Sequence, residues 1–163
     1  MVVVVAAIAA CQTEDSAHVK IEGMRNEVQI GDLLFGSQPS EEALAQLAAQ
    51  GYKTVLSTRT ESELSWDEKA KVESLGMTFV RIPMENPVTK ITDEEVNNFA
   101  ELMKTGERPM VLHCGSGNRV AGLWAVWLVE HENVEPTEAL QQAEQAGMTS
   151  TRNVVGKRLG LTR

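Results

Sequence analysis

The chain has 163 residues, 42% of them hydrophobic and 23% charged, one domain's worth of ordinary globular composition that excludes disordered and fibrous classes. With 15 basic and 23 acidic residues the formal charge is −8, which excludes a general nucleic-acid binder, because phosphate contacts need a basic stripe. Only Cys11 and Cys114 are cysteines, too few for a disulfide framework or a cysteine-rich zinc site.

Residues 1–10, MVVVVAAIAA, carry no charge and are too short to span a bilayer, which takes about 20 apolar residues. They read as the end of a secretory signal's apolar region. Ile8-Ala9-Ala10-Cys11 resembles a bacterial lipobox, in which the cysteine is lipidated and becomes the mature N-terminus. Gln12, Thr13, Glu14 and Asp15 follow as a polar tether. The short apolar run and the lack of Lys or Arg before it fit a start codon placed too late. On this reading residues 1–22 are a truncated signal with lipobox and tether, residues 23–163 are the catalytic domain, and the protein is periplasmic or membrane-anchored through Cys11. The alternative is an N-terminal β-strand in a cytoplasmic protein.

Short strands and helices then alternate. Val28–Ile30 and Leu33–Phe35 form a hairpin across Gly31-Asp32, broken by Gly36-Ser37-Gln38-Pro39. Ser40 caps a helix with Leu44, Leu47 and Ala48 on one face, and Gly51 stops it. Thr54–Ser57 is a buried strand, Glu61–Trp66 a polar loop, and Asp67–Leu75 a helix closed by Gly76. Met77–Ile82 is a strand ended by Pro83 and Pro87. Thr92 caps the next helix with Glu95 completing a capping box, and Val96, Phe99, Leu102 and Met103 form its apolar face. Pro109–His113 is a continuous apolar strand leading into Cys114. From Asn118 a helix carries Val120, Leu123, Trp124, Trp127 and Leu128 on one face. Pro136 opens a further helix, and a basic one around Arg152–Arg158 closes the chain, with Lys157 and Arg158 read as a solvated face. The pattern predicts a three-layer α/β domain with a mostly parallel central sheet and helices on both faces.

One segment concentrates chemistry. His113-Cys114-Gly115-Ser116-Gly117-Asn118-Arg119 runs from the carboxyl end of a central strand into a helix N-terminus, where open α/β sheets bind ligands. Two glycines let successive N–H groups converge, and these amides with the helix dipole favour an anion and a thiolate. Gly115, Ser116, Gly117 and Asn118 form the cradle, Cys114 is the nucleophile, and Arg119 lies on the first helical turn as a bidentate clamp. The alternative for Cys114 is a small buried hydrophobe. His113 is read as orienting the loop through backbone hydrogen bonds, or as a satisfied core histidine. Arg59 borders the same pocket, or pairs on the surface. His18 and His131 have no ligand partners at useful spacing, so no metal site is expected.

His113-Cys114-x4-Arg119 resembles the signature loop of the cysteine-based phosphatase superfamily, and Leu34-Phe35-Gly36-Ser37-Gln38-Pro39 resembles the first strand of dual-specificity phosphatases. Together with Thr58-Arg59 and Ile82-Pro83, these motifs are most similar to the bacterial tyrosine-phosphatase-like domain of the beta-lactamase-hydrolase-like family, over about residues 25 to 130. The resemblance implies a dual-specificity-phosphatase-like fold and attack of Cys114 on aryl or tyrosine phosphate through a phosphocysteine. It implies no cofactor, and a phosphorylated protein or small phosphate ester as partner.

Three positions depart from that pattern. Tyrosine phosphatases usually place one residue more between Cys and Arg than the four here, a spacing that also resembles the rhodanese sulfurtransferase loop. Val120 stands where a Ser or Thr commonly follows the Arg. Counting from Pro83 to the usual acid reaches Asn86, which leaves the adjacent Glu85 as the candidate general acid and Asp93 as a more distant one. Weak phosphatase activity follows, with a sulfurtransferase using a Cys114 persulfide, or a non-catalytic anion-binding module, as alternatives.

Overall fold

A computed structural model describes residues 16–85, 87 and 89–161. Period-two alternation along the central strands sorts side chains between two cores. Leu33, Phe35, Leu56, Met110 and Leu112 face one way, into a cluster with Phe99, Val120, Leu123, Trp124 and Val155. Leu34, Val55 and Val111 face the other way, onto Leu44, Leu47 and Val72. The strands are β1 (Ser16–His18), β2 (Val28–Ile30), β3 (Leu33–Gly36), β4 (Thr54–Ser57), β5 (Thr78–Arg81) and β6 (Met110–His113). Their order in the sheet is β1-β2-β3-β6-β4-β5. β3, β6, β4 and β5 run parallel, while β1 and β2 extend the sheet antiparallel beside β3.

Helices α1 (Glu41–Ala49) and α2 (Glu68–Ser74) cover one face. The other face is covered by α3 (Asp93–Thr105), α4 (Asn118–Glu130), α5 (Pro136–Gln145) and α6 (Arg152–Arg158). The caps are those expected from sequence. Ser40 Oγ accepts from Ala43 N at 3.2 Å, and Thr92 with Glu95 closes a reciprocal box at 3.2 and 2.7 Å. Asp67 caps α2, accepting from Ala70 N at 2.9 Å.

Two expectations are corrected. Residues 16–22 are not tether: Ser16, Ala17 and His18 pair in register with Ile30, Gln29 and Val28, and Ile21 is buried in the core. An apolar side chain at position 21 and a free strand edge at β2 draw this segment into the fold. Cys11, the lipobox and the alternative strand VVVVAAI over residues 2–8 lie outside the described residues. Second, Lys157 is exposed as expected, but Arg158 is half-buried and fully engaged. It donates to both carboxylate oxygens of Glu130, to Asp93 and to the Ile91 carbonyl, tying α6 to α4 and to the start of α3.

Candidate active site

β6 is buried along its length and flanked by parallel neighbours on both sides, so its carboxyl end opens beside those of β3 and β4. Thr58, just past β4, donates its N–H to the His113 carbonyl at 3.0 Å and fixes the point where the chain leaves the sheet. The chain then curls around the Cys114 sulfur. Ser116 N and Gly117 N lie 3.5 and 3.1 Å from Sγ, and Cys114 is only 1% exposed. Both amides are thus aimed at the sulfur, at the mouth of a 13-residue helix whose N-terminus is a natural site for an anion.

The loop can curl this way because Gly117 sits at φ +95°, as the N-cap of α4, in a region that residues with a Cβ rarely adopt. Its outer side is braced by the Asn26 side chain, which donates to the Ser116 carbonyl at 3.1 Å. Arg119 turns back over the loop: a Cβ at Gly115 would lie 3.7 Å from Arg119 Nη2. Cys114, Gly115, Ser116, Gly117 and Arg119 are thus brought together.

Asn118 contributes backbone only. Its Oδ1 accepts from Thr149 N at 2.7 Å and from Thr151 N and Oγ1 at 3.2 and 3.0 Å, and its Nδ2 donates to Ser150 Oγ at 2.9 Å. The side chain pins the α5–α6 turn to the end of the loop and faces away from the cradle.

Sequence reasoning missed the partner of Arg119. Glu63, in the 3₁₀ turn Glu61–Glu63 after β4, accepts from Arg119 Nη1 at 2.8 Å and Nη2 at 2.5 Å. The same carboxylate accepts from Thr60 N at 2.8 Å. The Arg119 hydrogen bonds outweigh partial burial and hold the Glu63 carboxyl down at about 2, with Thr60 assisting. The Arg119 guanidinium is pushed further up by Glu63, against partial burial and with help from the Cys114 sulfur. Thr60-x-x-Glu63 has capping-box spacing, so a turn was legible there. Its reach across to residue 119 was not.

A polar chain closes from clamp to nucleophile around the back of the loop. Arg59 donates to the Glu63 carbonyl at 2.5 Å and to Gln38 Oε1 at 3.0 Å. Gln38 Nε2 in turn donates to Glu68 Oε1 at 2.5 Å, and that oxygen lies 3.0 Å from His113 Nε2. Arg59 therefore borders the site by supporting Glu63. The expectation that His113 hydrogen-bonds the loop backbone is corrected: alternation along β6 sends its ring to the α1/α2 face, against Glu68. The pair is at ion-pair distance, although the ring N–H is not aligned on the oxygen as a hydrogen bond.

Glu85 is exposed on the loop after β5. It lines a cavity of about 400 Å³ with Ile82, Lys90, Thr92, Glu94 and Glu95, none of them from the Cys114 loop. Asn86 lies outside the described residues. Asp93 accepts from Arg158 at 2.8 Å. Among the described residues no group of three or more His, Cys, Asp or Glu side chains is placed to hold a metal ion.

A buried thiol seated on loop amides at the end of a central parallel strand, with an arginine of the following helix folded over it, defines the cysteine-dependent phosphatase class. The chain belongs to the family described as DSP-PTPase phosphatase fused to NAD+ kinase, whose model matches residues 6–157. The Beta-lactamase hydrolase-like protein of Agrobacterium fabrum is 28% identical over 99 residues, 58% of this chain and 22% of that protein. A namesake from Xylella fastidiosa is 25% identical over the same shares. The chain therefore matches about a fifth of the length of these relatives. P. aeruginosa TpbA superposes with a TM-score of 0.68 at 19% identity, over 93% of this chain and 98% of that one. Tk-PTP does so with a TM-score of 0.64 at 22% identity, over 79% and 91%. These likenesses fix the fold.

Proposed function

We propose that the chain hydrolyses aryl phosphate monoesters, phosphotyrosine among them, through a phosphocysteine on Cys114. The observation that carries this reading is the Cys114 sulfur held on two loop amides, with Arg119 beside the loop at Gly115 and its fork held there by Glu63. In the first step Sγ attacks phosphorus, the ester P–O bond breaks and the aryl oxide leaves. Loop amides and Arg119 hold the equatorial oxygens as charge builds on them. In the second step water attacks the phosphocysteine, releasing inorganic phosphate and restoring the thiolate. A cysteine-to-serine variant of TpbA has been solved in complex with pTyr, which supports a flat phenolic ester as the substrate class.

Glu85 is the proposed proton donor to the leaving oxygen. Standing exposed on its loop, it is poorly fixed for that task, and an ill-placed acid costs up to about 10² to 10⁴ in rate. Phenolates leave with little help, so aryl esters suffer least. p-Nitrophenyl phosphate and phosphotyrosine peptides should turn over slowly, phosphoserine peptides hardly at all, and Cys114→Ser should abolish both. Glu85→Gln should slow alkyl esters more than activated aryl ones. Thiosulfate with cyanide should yield little thiocyanate. Cys114-dependent thiocyanate without aryl phosphatase activity would overturn the proposal in favour of sulfur transfer.

For location we propose that Cys11 carries a lipid anchor, placing the domain at the outer face of a bacterial inner membrane or in the periplasm. Support comes from the sequence Ile8-Ala9-Ala10-Cys11 and from the polar residues Gln12, Thr13, Glu14 and Asp15 that follow it. Membrane fractionation that is lost in Cys11→Ser is the expected result. A soluble product that keeps Met1 and behaves identically in both forms would contradict it.

A further inference from the structure

Glu68 is fully buried at the start of α2, although its sequence context, Asp67-Glu68-Lys69, reads as a solvated helix end. Ionised carboxylates are among the groups least often buried without a partner. Burial pushes its carboxyl up, but His113, Gln38 and Arg81 together outweigh burial and hold it below the usual carboxylate range. Its Oε1 faces His113 Nε2 at 3.0 Å and accepts from Gln38 Nε2 at 2.5 Å, while Oε2 has no hydrogen-bond partner among the described residues. His113 is equally buried and directly precedes the nucleophile.

Packing alone does not account for this pair. Well-fitted apolar side chains in place of a buried acid and its partner are commonly neutral or stabilising. A buried polar pair kept in a native fold calls for a reason other than packing, and this one stands directly behind the nucleophile. Here the carboxylate faces one ring nitrogen only. At 3.0 Å, although the N–H is not aligned on the oxygen as a hydrogen bond, the charge of the carboxylate favours a proton on Nε2 over one on Nδ1. The His113 carbonyl is held separately by Thr58 N at 3.0 Å. Ring and peptide are thus fixed from two sides, at the residue whose next bond carries the sulfur.

We propose that Glu68 is a positioning residue for the nucleophile: from beneath the sheet it fixes the tautomer and orientation of His113, and so seats Cys114 on its loop amides. The proposal deepens the phosphatase reading and rests on it for the catalytic consequence, but its effect on the thiol does not require turnover. The test uses the full chain with Glu68→Gln, which keeps the shape and removes the charge. In wild type the imidazole ¹⁵N spectrum of His113 should show a protonated Nε2. In Glu68→Gln that signature should be lost or averaged, because an amide can present either a donor or an acceptor.

Alkylation of Cys114 by iodoacetamide and kcat on p-nitrophenyl phosphate should then fall together by about tenfold, the rate equivalent of about 1.36 kcal/mol. KM and Tm should be unchanged. Wild-type alkylation, kcat and His113 spectrum in Glu68→Gln would overturn the proposal and leave Glu68 a packing residue. Should the Gln variant lose its fold, Glu68→Asp decides, since it keeps the charge but withdraws it from the ring by one methylene. Slowed alkylation supports the proposal and the wild-type rate sinks it. Alkylation and the ring spectrum need no substrate, so failure of the phosphatase reading is told apart from failure of this one.

Discussion

Gly117→Ala tests whether the shape of the loop or merely its composition makes the site. A Cβ at this position would lie 3.5 Å from the Gly36 carbonyl group, an ordinary contact, so crowding is not the cost. The cost is the backbone, which sits at φ +95°. Holding a residue with a Cβ in the left-handed region costs roughly 1–2 kcal/mol. In a chain of this size that lowers Tm by roughly 2–8 °C. If the backbone instead relaxes toward negative φ, the Gly117 N–H rotates off the sulfur it now approaches at 3.1 Å. A hydrogen bond to a charged group contributes about 1.5–3 kcal/mol, so the thiolate's reactivity would fall by about tenfold to a hundredfold. Scanning calorimetry reads the first outcome and iodoacetamide alkylation of Cys114 the second. An alanine variant with the wild-type Tm and the wild-type alkylation rate would refute the reasoning.

Glu63 makes a pH prediction. Its folded carboxyl lies at about 2 against an ordinary value of 4.5, so the stability it adds is complete above about pH 4.5 and is lost as pH falls toward 2. With the side chain 31% exposed, solvent screening limits that contribution to about 1 kcal/mol. The Tm gap between wild type and Glu63→Gln should accordingly shrink below pH 4.5, and a gap constant with pH would contradict the pairing. Arg119→Lys should lose most of the protection that vanadate gives Cys114 against alkylation, since an ammonium cannot replace a two-point fork; full protection would argue that the loop amides alone hold the anion. Asn118→Ala removes the acceptor for Thr149 N and Thr151 N and should cost about 1–3 kcal/mol for the donors left short, read as a lower Tm. An unchanged Tm would show that water replaces the side chain there.

The sequence made the scaffold legible where signals were local. Ser40, Thr92 and Pro136 marked helix starts, and the apolar run from Met110 to His113 marked the strand on which the nucleophile stands. The loop itself was legible because its working parts are contiguous: Cys114, its amides and Arg119 lie within six residues. Arg59 apart, the supporting residues were not legible, because they come from other segments of the chain. Glu63 and Glu68 sit in charged stretches that look solvated; Glu63 stays exposed and reaches Arg119 from its 3₁₀ turn, whereas the packing of α2 buries Glu68 against His113. Asn118 misled for the opposite reason, since its place in the motif hid a side chain committed to Thr149 and Thr151. The short β1 escaped notice because three residues of Ser, Ala and His carry no strand periodicity. Its position follows from the unpaired edge of β2.

The central claim is that Cys114 becomes covalently phosphorylated during turnover. Its most direct test is acid quenching of the protein with p-nitrophenyl phosphate during steady-state turnover, followed by mass spectrometry of the peptide that contains Cys114. The account predicts one phosphoryl group on that peptide, on sulfur, absent in Cys114→Ser and reduced in Arg119→Lys. Turnover that proceeds with Cys114 unmodified, or that survives in Cys114→Ser, would contradict it.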